Sequence, residues 1–165
     1  MTEEKKPIKL PMCGCLDIDG KEYESKDFDW SDKKFYCFPT PMFFHVPLKI
    51  GRDIDRAFVG ARAKGYALKE NGMLLQKDGL FSGKIMLELE TADSNRENVC
   101  TMHHEMKVIS VFTDRPWNKI YEATRRLKEL VASRGGKLKA VYFWYLSCPG
   151  CIKERGYRTV VFGEH

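Results

Sequence analysis

Two closely spaced pairs of cysteines are the residues in this sequence best suited to chemistry. Cys13 and Cys15 flank one glycine, and Cys148 and Cys151 flank a Pro-Gly dipeptide. Pairs of thiolates are ligands of tetrahedral zinc, and glycine beside each pair allows the turns that such a site needs. We therefore expect one zinc site that holds the N-terminal segment against the C-terminal hairpin. Four thiols without a metal, a reversible disulfide and an iron–sulfur ligand set are the alternatives.

The other two cysteines lie in different surroundings. Cys100 precedes His103 and His104, but adjacent histidines on a strand face opposite ways, so at most one could share a metal with Cys100. The simpler interpretation is a linker with exposed histidines. Cys37 lies among aromatic residues and is expected to be a small buried side chain. The N-terminus lacks the apolar core of a secretory signal, so we expect a cytoplasmic protein without a disulfide framework.

Candidate acids and bases occur in the first half of the chain. Glu88 and Glu90 share one face of a predicted strand, with Leu87 and Leu89 on the other. If that face lined a ligand site, the two carboxyl groups could act as acid and base. The alternative is the solvent side of a half-buried strand. His45 is expected to be exposed or hydrogen-bonded.

Composition and charge limit the partners that these groups could serve. The 165 residues are 43% hydrophobic and 12% aromatic, which is enough for one domain with its own core. No run of about 18 apolar residues could span a membrane. The net charge of +5 lies mostly on a helix of the C-terminal half. Such a face is typical of solvent exposure, and we do not expect a nucleic-acid partner.

The periodicity of the sequence divides it at residue 41. Residues 1–41 keep no regular period and are predicted to form an irregular N-terminal arm, broken from the rest by Pro39 and Pro41. Residues 42–165 are predicted to form the domain, in two halves of about 42–91 and 105–163.

Each half has the order strand, helix, strand, strand. The first is predicted as a strand from Phe44 to Ile50, a helix from the N-cap Asp53 to Asn71-Gly72, and strands over 73–76 and 84–90. The second is predicted as a strand over 106–112, a helix from the N-cap Asp114 to Gly135-Gly136, and strands over 138–146 and 157–162. Superposing the helices pairs Trp117 with Ile54, Tyr121 with Phe58 and Val131 with Leu68. The prediction is an α+β fold of duplicated β-α-β-β halves, with a mainly antiparallel sheet, two helices and a central groove suited to a ligand.

The C-terminal stretch resembles the GyrI-like small-molecule-binding superfamily. That superfamily includes effector-binding domains of multidrug-responsive regulators, gyrase-inhibitor-like proteins and cyclopropanoid hydrolases. The resemblance is carried by Val111-Phe112-Thr113-Asp114-Arg115-Pro116-Trp117, by Tyr145-Leu146-Ser147-Cys148-Pro149 and by Tyr157-Arg158-Thr159-Val160-Val161-Phe162. It covers about the last 60 residues, and the preceding 60 share only the order of elements.

The resemblance implies a groove that binds aromatic, cationic or lipophilic molecules. In many members a glutamate two residues before the Tyr of Tyr-Leu-x-Asp-Pro reaches into this groove, as counter-ion or in catalysis. The matching residue here is Phe143, while Cys148 replaces the family Asp and Val160 the family Glu. These departures argue against inherited hydrolase activity and against a preference for cations.

The sequence therefore predicts a protein that binds a planar, hydrophobic or aromatic small molecule, as a sensor or by sequestering it. The expected ligand-binding residues are Phe143, Tyr145, Trp117, Tyr121, Phe44 and Glu88, although each aromatic could be an ordinary core residue. One alternative is a hydrolase of a small strained or activated substrate that uses Glu88, Glu90, Tyr121 or Tyr145. The other is a zinc-binding or thiol-redox protein built on the cysteine pairs. Oligomeric state does not follow from these patterns.

Overall fold

The structure, a computed structural model, describes residues 14–165 and is built on a curled antiparallel sheet. The strands are β1 (Lys26–Asp29), β2 (Lys34–Phe43), β3 (Val46–Pro47), β4 (Ala67–Leu68), β5 (Leu74–Lys77), β6 (Ser82–Thr91), β7 (Val99–Thr101), β8 (Lys107–Thr113), β9 (Ala140–Tyr145) and β10 (Thr159–Glu164). The helices are α1 (Ile50–Ala63), α2 (Ile120–Ser133) and the short α3 (Ile152–Arg155), with 3-10 turns at Gly20–Tyr23 and Trp117–Lys119. No helix within residues 14–165 is long and apolar enough to cross a membrane.

Two β-α-β-β units share this sheet, which confirms the predicted fold class. The first is β2-α1-β5-β6 and the second β8-α2-β9-β10, and the strand order β8-β10-β9-β5-β6-β2 places them back to back. They meet where β5 pairs with β9, with Leu75 opposite Trp144, Gln76 opposite Phe143 and Lys77 opposite Tyr142. We call this pairing the seam.

The two helices repeat with a different spacing from the one predicted. Both have 14 residues, and their buried positions correspond as Ala57 to Leu127 and Ala61 to Val131, which are 70 residues apart. The predicted superposition is therefore wrong by seven residues. Seven residues are about two helical turns and return to the same face, so apolar spacing alone does not distinguish the two alignments.

The predicted strand from Phe44 to Ile50 is wrong, because the first strand of this half is β2, within the predicted irregular arm. Phe44 and His45 have positive φ angles of 45° and 67° and form a turn, and α1 already begins at Ile50. Pro39 and Pro41 fit β2 because they pair with β6 on one side, and β7 covers the other side only as far as Tyr36.

The predicted helix ends are also partly wrong. Neither Asp53 nor Asp114 is an N-cap, because Lys49 and Lys119 precede the helices. Helix α1 ends at Ala63, well before Asn71, and Leu68 lies in β4.

Both helices lie on one side of the sheet, which we call the helix side. The apolar face of α1 covers β2 and β6, and that of α2 covers β8, β9 and β10. The opposite side, which we call the far side, carries the largest apolar cluster, including Trp30, Phe35, Tyr142, Trp144 and Phe162. Leu16, Ile18, Tyr23 and Phe28 pack on this cluster, so the N-terminal segment covers the far side.

Cys37 and Cys100 form a disulfide between β2 and β7. The expectation of a chain without disulfides is wrong at this pair. The two residues meet because β2 and β7 pair in a register that sets Phe35 opposite Cys100. The predicted burial of Cys37 is confirmed, as is the exposure of His103 and His104.

Glu88 is held on the far side by three hydrogen bonds. Its carboxylate accepts from Lys33 Nζ at 2.8 Å, from Lys69 Nζ at 2.9 Å and from the Met73 amide at 3.0 Å. Burial acts to raise the pKa of Glu88, but these hydrogen bonds outweigh it, so the pKa lies below its ordinary value. The carboxylate therefore stabilises the fold while it is charged.

Replacing the glycine that ends each helix should destabilise the protein. Gly65 and Gly135 have φ angles of +69° and +75°, and their amides close the Schellman hydrogen bonds that end α1 and α2. Gly65→Ala and Gly135→Ala should each lower the free energy of unfolding by about 1–2 kcal/mol, measured by urea denaturation. Gly51→Ala is the control, because its added methyl group meets open space inside α1. Equal effects of all three substitutions would contradict the account.

Glu88→Gln should reduce stability in a pH-dependent way. Because the folded pKa is below the unfolded one, the stabilisation is present above about pH 4.3 and is lost as the pH falls through the folded pKa. We expect the variant to be about 1–2 kcal/mol less stable at pH 7, and the difference to shrink below about pH 4. Unfolding curves across this range, with the exposed Glu90→Gln as control, check the prediction. A difference that is constant across the range would contradict it.

Candidate functional site

Aromatic rings and a buried amide meet on the helix side of the seam. The Tyr145 hydroxyl donates a hydrogen bond to Gln76 Oε1 at 3.0 Å. The ring of Phe143 stacks on that of Tyr145, with centroids 6.2 Å apart. Trp117 meets Tyr145 edge-on at 6.0 Å and Tyr157 at 5.5 Å. We call Gln76, Trp117, Phe143, Tyr145 and Tyr157 the seam cluster.

The local sequence explains why these side chains share one side. Side chains alternate along β9, so Phe143 and Tyr145 face the helices while Trp144 joins the far-side core. Gln76 lies opposite Phe143 in the register and faces the same way. Trp117 opens the 3-10 turn that precedes α2, where Pro116 fixes the entry of the chain.

The polar atoms of the cluster are held in a mostly apolar setting. Gln76 is 1% exposed and Phe143 5%, whereas Trp117 and Tyr145 are half-buried. Burial, with the nearby charge of Asp78, raises the pKa of the Tyr145 hydroxyl well above its ordinary value, so this group stays a hydrogen-bond donor. Trp117 Nε1 is buried and has no hydrogen-bond partner within residues 14–165.

An aspartate–histidine pair lies beside the seam cluster. Asp78 directly follows β5, and its Oδ2 is 2.8 Å from Nδ1 of His45, which belongs to the turn after β2. Asp78 Oδ1 is buried and has no hydrogen-bond partner within residues 14–165. The His45 side chain is 59% exposed, so its outer nitrogen is accessible from solvent. This confirms the expectation of an exposed or hydrogen-bonded His45.

Two further polar groups lie on the helix side of the first half. Asp53, buried on α1, accepts a hydrogen bond from Thr40 Oγ1 at 2.5 Å. Gln76 Nε2 lies 3.9 Å from Met42 Sδ. The sequence reasoning did not identify Gln76, Asp78 or Thr40. The available signal was a glutamine inside an apolar strand, where a polar side chain needs a partner.

The structure brings three of the six predicted ligand-binding residues together, namely Phe143, Tyr145 and Trp117. Tyr121 is 62% exposed on α2, and Phe44 is 58% exposed and contacts Phe43 and Phe81. Glu88 lies on the far side, across the sheet from the seam cluster.

A separate cavity of about 540 Å³ lies between the turn Gly20–Tyr23, the end of β8 and α2. Its walls are largely charged and include Lys21, Glu24 and Arg126. Arg126 pairs with Glu24 and donates a second hydrogen bond to the Phe112 carbonyl. Glu24 and Arg126 are thus already paired with each other, and most of the lining side chains are charged, which favours a polar ligand in this cavity.

Cysteines from both ends of the chain meet, as the sequence predicts. The sulfur atoms of Cys15, Cys148 and Cys151 all lie within 4.8 Å of one another. Cys13, the fourth predicted member, lies outside the described residues. Burial raises the pKa of the Cys151 thiol. Three sulfur atoms at this spacing are able to bind a metal ion.

Comparisons with known proteins agree with this architecture. The EcmrR C-terminal domain superposes with a TM-score of 0.67 at 12% identity, covering 86% of this chain and 96% of that one. A hydrolase encoded by lin2189 from Listeria innocua gives 0.59 at 9% identity, covering 86% and 91%. EcmrR in a complex with DNA gives 0.58 at 12% identity, covering 84% and 55%. No curated protein matches the chain.

These likenesses confirm the resemblance to the GyrI-like superfamily at the level of the fold. A family model described as "Bacterial hydrolase" matches residues 5–164, across both halves of the sheet and the N-terminal segment. Because this match spans nearly the whole sequence, the chain belongs to that bacterial hydrolase family.

Proposed function

We propose that the protein binds a planar, hydrophobic or aromatic small molecule on the helix side of the seam. The observation that carries the proposal is the seam cluster, whose half-buried aromatic rings lie with two polar atoms, Trp117 Nε1 and Asp78 Oδ1, that have no hydrogen-bond partner within residues 14–165. The apolar face of α1 packs on β2 and β6, and that of α2 packs on β8, β9 and β10, so the cluster lies on the strip of sheet between the two helices. Ligand sites often lie between packed elements.

The aromatic rings account for the affinity. Trp117 stands edge-on to Tyr145 and to Tyr157, and all three rings keep part of their surface accessible. A planar ligand that covered about 100 Å² of this surface would gain about 2.5 kcal/mol from burial. Stacking or edge-to-face contacts with the rings would add about 1 kcal/mol.

The polar atoms account for the orientation of the ligand. Trp117 Nε1 offers a donor, and Asp78 Oδ1 offers an acceptor. A ligand with a hydrogen-bonding group at its edge would satisfy one of them and remove the cost of a buried polar atom without a partner, about 1–3 kcal/mol. Phe143 adds apolar surface where many GyrI-like proteins have a glutamate, which favours neutral ligands over cations.

The fold is compatible with a role in sensing or sequestering such a molecule. The EcmrR C-terminal domain and the lin2189 hydrolase share this architecture at 12% and 9% identity. The fold is therefore compatible with both binding and catalysis, and the side chains of the site determine which of the two occurs.

Substitutions in the seam cluster should weaken binding of planar compounds. A thermal-shift screen of planar tricyclic compounds identifies a probe, and calorimetry then gives its Kd. We expect Trp117→Ala to raise the Kd by roughly tenfold or more through lost stacking, and Tyr145→Phe by about fivefold through the lost hydroxyl. Tyr23→Phe, a hydroxyl deletion on the far side, is the matched control. The proposal fails if no planar compound stabilises the protein, or if Trp117→Ala and Tyr145→Phe both bind the probe as tightly as the wild type and the control do.

Hydrolysis is a second candidate, favoured by the His45–Asp78 pair and by the family. With Nδ1–H donated to Asp78, the exposed Nε2 of His45 could accept a proton from water as that water attacks a substrate. The Tyr145 hydroxyl, kept protonated by burial, could donate a hydrogen bond to an oxygen that becomes negative. A small substrate that is already strained or activated would suit a site whose catalytic groups are only the His45–Asp78 pair and the Tyr145 hydroxyl.

His45→Ala and Asp78→Asn should each lower the rate of hydrolysis by about 100-fold or more, because a general base contributes about that factor. The rate is measured with p-nitrophenyl acetate as an activated probe. The affinity of His45→Ala for the planar compound should change less than threefold, roughly 0.6 kcal/mol, because His45 is not part of the proposed binding surface. His103→Ala is the matched control, since His103 also pairs with a carboxylate, Glu164, but on another part of the surface. Unchanged turnover in His45→Ala would exclude this mechanism.

A further inference from the structure

Three thiols that are distant in sequence meet at the end of the sheet beyond β9. Cys15 comes from the N-terminal segment, and Cys148 and Cys151 come from the turn between β9 and α3. Their sulfur atoms lie within 4.8 Å of one another, and the Cys151 side chain is buried. Sulfur ligands of a tetrahedral zinc ion, each at about 2.3 Å from the metal, lie about 3.8 Å apart. Shifts of about 1 Å would therefore bring the three sulfurs into zinc geometry.

The turn that carries Cys148 and Cys151 is already organised around sulfur. The amide of Cys148 donates to Cys151 Sγ at 3.2 Å. The amides of Cys151 and Ile152 both donate to the Cys148 carbonyl, which folds the four residues into a tight turn. The Cys151 thiol in turn donates to the Cys148 carbonyl at 3.6 Å. The backbone of the turn therefore positions the Cys151 sulfur before any ion arrives, and the thiol loses its proton when it binds the metal.

The N-terminal segment is held at this turn by ion pairs as well. Arg155 Nη2 donates to the Leu16 carbonyl at 2.9 Å and to Asp17 Oδ1 at 2.7 Å, and Arg158 lies 3.6 Å from the same carboxylate. These contacts hold Leu16 and Asp17, the residues that follow Cys15, against the C-terminal turn.

Structural zinc sites are four-coordinate, so a fourth donor would complete the tetrahedron beside the three sulfurs. The sequence predicts Cys13 for this place, and Cys13 lies outside the described residues.

We propose that Cys15, Cys148 and Cys151 bind one structural zinc ion. The ion fastens the N-terminal segment to the C-terminal turn, and Leu16 and Ile18 are thereby kept on the far-side core. The site is separate from the seam and does not depend on the ligand proposed there.

The experiment uses the full chain, produced without a histidine tag and purified without chelator under reducing conditions. Elemental analysis should find about one zinc per chain, and cobalt(II) added after zinc removal should give the absorption of a tetrahedral thiolate complex. Chelation should lower the melting temperature and speed proteolysis next to residue 14. Cys15→Ser and Cys148→Ser should each lose stoichiometric metal. Circular dichroism should show that both variants keep the folded sheet.

The matched control is the Cys37→Ser, Cys100→Ser double variant, which keeps all three proposed ligands and should hold as much zinc as the wild type. The proposal is overturned if the wild type neither holds zinc nor binds cobalt. It is also overturned if Cys15→Ser retains the same cobalt spectrum, or if iron and sulfide are found in place of zinc. Any of these results leaves the seam cluster and its ligand untouched, because the two sites share no residue.

Discussion

The antiparallel pairing of β5 with β9 is the constraint on which the rest of the structure depends. Only three residue pairs form it, and they join two units that otherwise have separate helices and separate apolar clusters. The register of this pairing determines which side chains lie on each side of the sheet. Leu75 and Trp144 enter the far-side core, whereas Gln76 and Phe143 face the strip between the helices. A shift of one residue would exchange the two sets and remove both the core contact and the site.

The chemistry of that strip follows from burying a polar side chain where the halves meet. Gln76 is almost fully buried, which costs free energy unless its amide is hydrogen-bonded, and the Tyr145 hydroxyl provides the bond. Many GyrI-like proteins have an acidic residue at the position of Phe143, and this chain does not. Asp78, directly after β5, places a carboxylate on the same strip instead. The balance between binding and hydrolysis thus depends on Asp78 and His45, which come from the first half of the chain.

The sequence predicted the second half better than the first, for physical reasons. Alternation along β8 and β9 and the paired glycines after α2 are local signals, and they placed Phe143, Tyr145 and the end of the helix correctly. In the first half, β2 was not predicted because Pro39 and Pro41 are typical strand breakers. No local signal shows that these prolines lie on a sparsely paired edge of the sheet. Gln76 and Asp78 were missed because the pairing of β5 with β9 is a long-range contact. The Cys37–Cys100 disulfide is also a long-range contact and was not predicted for the same reason. The meeting of Cys15 with Cys148 and Cys151, in contrast, could be predicted from ligand spacing.

The central claim is that a ligand lies on the helix side of the seam. The most direct measurement is a crystal structure of the protein with a planar compound that stabilises it. The account predicts that the compound contacts Trp117 and Tyr145 between α1 and α2, with a hydrogen bond to Trp117 Nε1 or Asp78 Oδ1. A compound bound instead in the charged cavity beside Glu24 and Arg126, with the seam cluster unchanged, would contradict it.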